Sequence, residues 1–226
     1  MKRLLTLSLL TALTLGTVCS TWAMDDYNHI YYETVLTEET TYTGSEHDWK
    51  QYMITADVPL DKFKFGFEAN YGEIELDEAT DLVTEYLTYK IKGGLAVINS
   101  EQARFDLTGG YYKSDYETED INYTINHESL FLGVDLRLML SERVWLDASY
   151  LRGMNPVVKT DFAGAHNKTD MDNLESTNVR INFLLTEDTA LSFGYMCEDL
   201  RSNASYAAAE TNFKNKGYTV GLAYRF

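Results

Sequence analysis

Four histidines, His29, His47, His127 and His166, are the first places to look for chemistry. His127-Glu128-Ser129 is the one reactive spacing among them. Residues two apart share a face of a strand, so the imidazole could take the proton of the Ser129 hydroxyl and leave a nucleophile. His47-Asp48 sets an acid beside a base. No His/Cys spacing of a metal site and no glycine-rich phosphate loop occurs, so no cofactor is expected.

A larger set carries charge without reactivity. Glu33, Asp57, Glu68, Asp106, Asp135, Asp147 and Glu198 are its acids, and Lys64, Lys90, Lys92, Arg104, Arg137, Arg180 and Arg225 its bases. Seven of each sign can neutralise one another in an interior, where an unpaired charge is costly. Arg137 has Asp135 or Asp106 as its expected partner. The same groups could also line the wall of a constricted pore.

A third set is acidic. The stretches 39–47, 73–81, 114–122, 153–173 and 200–213 hold 15 acidic residues against Lys159, Lys168 and Arg201, a net of −12. Carboxylates at this density form a solvated face, and they also suit divalent cations, which prefer several oxygen ligands.

Strands are the elements that must position these groups. Tyr218, Val220, Leu222, Tyr224 and Phe226 fall on one face of a terminal strand, and Thr219, Gly221, Ala223 and Arg225 on the other. Similar apolar rows are Phe63 to Tyr71, Leu87 to Val97, Phe105 to Tyr111, Leu130 to Leu138, Leu146 to Tyr150, Val179 to Phe183 and Leu191 to Tyr195. In each case the charged set above occupies the other face. Four short polar junctions, 58–62, 98–102, 140–143 and 185–188, have hairpin chemistry, and they alternate with the five long polar stretches. Ten strands are expected, near 28–38, 48–58, 63–72, 82–97, 103–113, 123–139, 144–152, 174–185, 189–199 and 215–226. Merging weak segments would give eight. Residues 153–173 are expected as the longest loop.

Lys2 and Arg3, the apolar run Leu4–Leu15 and the small-residue end at Ala23 read as a secretory signal peptide. The expected domains are therefore 1–23, removed on export, and 24–226. The remainder holds 17 basic and 35 acidic residues, a net of −18, which disfavours a nucleic-acid partner. Only Cys197 survives that cleavage, so no internal disulfide is expected.

Short turns alternating with long loops, with apolar rows opposite charged ones, give an all-β fold, an antiparallel up-and-down transmembrane β-barrel. The terminal strand ending on Phe226 resembles the closing strand of bacterial outer-membrane barrels. That resemblance implies that Tyr218, Val220, Leu222, Tyr224 and Phe226 are read by the barrel-assembly machinery. The whole chain from residue 24 resembles the small outer-membrane barrels of the OmpA, OmpX and opacity type. This implies a monomer in outer-membrane lipid with a structural or surface-interaction role. A plugged lumen is the expectation, with a narrow channel as the alternative. His127-Glu128-Ser129 is similar to the His-x-Ser of outer-membrane lipid A 3-O-deacylases, although its parity points both groups into the lumen. His47-Asp48 resembles the acid–histidine pairs of the omptin proteases, which are also ten-stranded.

Overall fold

A period of two along nearly every segment, with turn residues between, commits the backbone to extended strands whose ladders must close on one another. A computed structural model describes residues 29–42, 45–46, 49–77, 82–118, 123–162, 164–202 and 213–225. The signal peptide, the His47-Asp48 pair and Phe226 lie outside these. The strands are β1 (His29–Tyr42), β2 (Ser45–Glu46), β3 (Trp49–Leu60), β4 (Phe63–Asp77), β5 (Leu82–Asn99), β6 (Ala103–Thr118), β7 (Tyr123–Ser141), β8 (Val144–Phe162), β9 (Ala165–Leu184), β10 (Thr189–Ser202) and β11 (Phe213–Arg225). Each long strand pairs antiparallel with the next, and β11 pairs with β1, so ten strands close a barrel. The two-residue β2 folds back on the end of β1.

The four short turns are tight. Asp61 adopts a left-handed φ of 51° between β3 and β4, a conformation that Asp tolerates better than most residues. The Thr186 hydroxyl accepts from the N–H groups of Asp188 and Thr189 between β9 and β10.

On the turn side of the barrel the outward face is apolar: Phe65, Ile91, Leu107, Leu132, Phe193 and Leu222 are all exposed there. This is the band a bilayer requires. It ends at a belt of outward tyrosines, Tyr52, Tyr71, Tyr89, Tyr111, Tyr150, Tyr195 and Tyr218. Tyr52 lies directly opposite Tyr71, and Tyr195 opposite Tyr218 with rings 5.4 Å apart.

Beyond the belt the strands continue as a collar, and this corrects the expected boundaries. The stretch 153–173 is no loop: β8 runs to Phe162, β9 starts at Ala165, and the two pair through Val157↔Asp170 to Phe162↔Ala165. Gly164, at φ +84°, makes the turn. In the collar the apolar residues change face. Along β6, Phe105, Leu107 and Tyr111 point out, then Tyr112 and Tyr116 are buried inside while Lys113, Asp115 and Glu117 point out. Ladder bonds do not depend on which face is apolar, so pairing goes on where the lipid pattern stops.

Candidate functional site

The lumen is the site these strands build, and it has three levels. At the turn end, Asp147 of β8 gathers donors. The Arg137 guanidinium on β7, directly opposite, donates to it at 2.6 Å. The Tyr31 hydroxyl (2.6 Å), Trp145 Nε1 (3.0 Å) and Asn182 Nδ2 (3.0 Å) donate to its other oxygen. Arg137 therefore takes Asp147, not Asp135 or Asp106. A directly opposite cross-strand neighbour stands nearer than the next residue on the same face of one strand. Tyr31, Trp145, Ala190 and Ala223 pack together below, with His29 against Trp145 at 5.0 Å.

Charges fill the middle level. Lys64 pairs with Asp135 (2.7 Å) and Asp57 (3.4 Å), and Lys92 pairs with the same two acids at 2.9 and 3.2 Å. Lys92 reaches them across Gly66, where a side chain would crowd Lys92 and Asp57 and force them to shift. Arg104 holds Asp106 at 3.0 Å and donates to the carbonyls of Asp61 and Phe63, tying β6 to the first turn. Arg180 holds Glu33 at 2.9 Å, and Ser192 and Thr219 also donate to Glu33. Lys90 sits between Glu68 and Glu198, 2.7 Å from each, and the Tyr86 hydroxyl donates to Glu198. Arg225, at the rim, is half-buried, and its N–H donates to the Asp188 carbonyl. A cavity of about 40 Å³ lies among Asp57, Lys64, Lys92, Asp135, Arg137 and Arg180, room for about three water molecules.

The third level fills the collar. Ile74, Tyr86, Tyr112, Tyr116, Ile125, Phe131, Val158, Met171, Leu174, Leu200 and Phe213 form one buried cluster. Tyr116 lies 4.9 Å from Tyr86 and 5.2 Å edge-on to Phe213. Chemically, this is an aromatic and aliphatic stopper, interleaved with buried polar side chains such as Gln51 with Asn70 and Thr84 with Thr118, above a neutralised polar filling.

Sequence reasoning missed the neutral partners Tyr31, Thr55, Tyr86, Trp145, Asn182, Ser192 and Thr219. The signal was there: each shares strand parity with a charged residue of the set, as Tyr31 does with Glu33 and Asn182 with Arg180. It also missed the stopper.

His127 and Ser129 both face inward and are buried. They do not form a dyad: Ser129 Oγ donates to the Leu130 carbonyl at 2.5 Å and lies 3.4 Å from that of Met154. Ser129 stands where Asn155, at φ 53°, and Pro156 make a bulge in β8, so its hydroxyl serves the interrupted ladder. Among the described residues, neither His127 ring nitrogen has a hydrogen-bond partner. No group of three or more His, Cys, Asp or Glu among the described residues could hold a metal ion.

No family model and no curated protein matches the sequence. Solved structures do. The outer-membrane protease OmpT of Escherichia coli is similar with a TM-score of 0.60 at 12% identity, over 89% of this chain and 97% of that one. Ail, the attachment invasion locus protein of Yersinia pestis, gives 0.41 at 11% over 88% and 96%, and Neisserial surface protein A gives 0.39 at 11% over 88% and 97%. At such identities the likeness is one of fold. The chain has the fold of the small bacterial outer-membrane β-barrels.

Proposed function

We propose that this chain is an integral outer-membrane β-barrel with a closed lumen, serving as a structural or surface-interaction component. One observation carries the reading. The lumen is filled at every level, by paired charges inside the apolar band and by packed aromatic and aliphatic side chains inside the collar. A channel needs a continuous polar path, and the collar cluster interrupts one. A lipid hydrolase needs its nucleophile toward acyl chains, whereas Ser129 faces inward and spends its hydroxyl on the backbone. In this reading the apolar band lies in outer-membrane lipid and the collar stands outside the cell. The terminal strand, with Tyr218, Val220, Leu222 and Tyr224 on its outward face, is the segment presented to the assembly machinery.

Planar-bilayer recording of the refolded barrel tests the reading. Steady conductance should be absent from the wild type. Arg137→Ala leaves Asp147 without its cation but leaves the collar cluster in place, so this variant too should show no steady conductance. A stable wild type that conducts steadily would overturn the closed lumen in favour of a narrow channel.

A further inference from the structure

We propose that the collar is an acid-released seal, with His127 as its trigger. The proposal rests on the reading that the collar faces the outside, and it is independent of whether the lumen conducts. His127 is 1% exposed and sits within the stopper. Among the described residues, the inward groups around it offer a proton no acceptor or counter-charge. On β6, Ser114 lies directly opposite and Tyr116 packs edge-on at 5.3 Å. Val158 lies opposite on β8. Behind Tyr116 stand Tyr86 of β5 and Phe213 of β11. Glu198 of β10 touches this cluster, and among the described residues it is held by Lys90 and the Tyr86 hydroxyl. On the outward face of β7 beside His127, Glu128 is held by Lys159 at 2.7 Å.

An imidazolium in this place would be a buried charge without a counter-ion, so the sealed collar holds His127 neutral. Burial alone lowers its pKa from 6.5 to about 3. Once the collar loosens, water reaches the ring and the ordinary value returns. Between those two values the loosened form binds a proton that the sealed form does not, so the seal weakens as pH falls below about 6.5 and the effect levels off near 3. From about pH 7.5 to about pH 5 the opening equilibrium should rise roughly 30-fold. Ordinary carboxylates change charge below that window. The sensing group would lie outside the bilayer, where the pH is that of the surroundings.

Hydrogen–deuterium exchange of the refolded full-length barrel in detergent tests this, with rates corrected for the pH dependence of free amides. Peptides covering Tyr112–Thr118 and Asn126–Glu128 report on the collar, and Phe63–Ala69 reports on the banded half. In the wild type, collar exchange should rise roughly 30-fold between the two pH values while the banded half stays constant. The rise should vanish in both His127→Phe, which keeps the packing, and His127→Gln, which keeps a polar group without a proton to gain. If either variant fails to refold, the other carries the test. A rise of the same size in a folded variant, or a wild-type collar that exchanges equally at both pH values, would overturn the proposal.

Discussion

The same ten strands build two regions of opposite chemistry. In the banded half Leu132, Phe193 and Leu222 face out, while Asp135, Arg180 and Glu33 are buried inside. In the collar Glu85, Glu117 and Lys159 face out, while Tyr116, Ile125 and Leu200 are buried inside. Apart from the bulge at Asn155-Pro156 in β8, the strands keep their pairing across the boundary. What changes is the medium against the outer wall. Against hydrocarbon, the apolar side chains face out and the polar ones need each other. Against water, the rule of soluble proteins returns. Tyrosine marks the crossing because its ring suits one medium and its hydroxyl the other.

Three substitutions would break or sharpen this contrast. Removing a central cation of the banded half should do the most damage. Arg180→Ala leaves Glu33, 0% exposed, with two hydroxyl donors among the described residues, Ser192 and Thr219. Breaking a buried pair costs about 3–5 kcal/mol, measurable as a lower urea midpoint for the refolded barrel. The pair replacement Glu33→Met with Arg180→Met should recover most of it, and an unrecovered loss would mean that the charges do more than neutralise each other. Next comes a charge on the outer wall. Leu132→Lys places an ammonium against hydrocarbon and should cost about 2–4 kcal/mol in lipid. A cost near zero in the same unfolding assay would put Leu132 out of the membrane. The smallest effect should have the opposite sign. On the collar wall Glu85 lies directly between Glu73 and Glu117, a row of three like charges. Glu85→Lys turns two repulsive cross-strand pairs into attractive ones, and the gain should be about 0.5–1 kcal/mol. A loss there would show that the collar wall is not bathed in water.

The strand count was legible wherever the alternation met lipid. Phe63, Phe65 and Phe67 opposite Lys64 and Glu68 leave little choice of element or face. The collar was illegible for a physical reason. When the apolar parity flips at Tyr111-Tyr112, a reader tracking one face sees the pattern end and finds Lys113, Asp115 and Glu117 where lipid-facing residues should be. In β8 the flip coincides with the bulge at Asn155-Pro156, which hides the strand twice. Most of the charged inward set could be read from parity, since all but Glu33 and Asp57 sit in strands with a clear apolar row on the opposite face. Its pairing could not, because pairing depends on register. Asp147 lies ten residues from Arg137 along the chain yet directly across the ladder from it.

Glu33 belongs to the first long strand, and the groups that satisfy it, Arg180, Ser192 and Thr219, come from the last three. The Thr219 bond spans 186 residues of chain. A chain still lacking β11 would present two bare strand edges and a carboxylate one donor short. Sealing the wall and desolvating that carboxylate are therefore one event, and it waits for the final segment to arrive. Contacts of such long range close slowly. Until its two ends meet, the polypeptide lacks this clasp and its full stability.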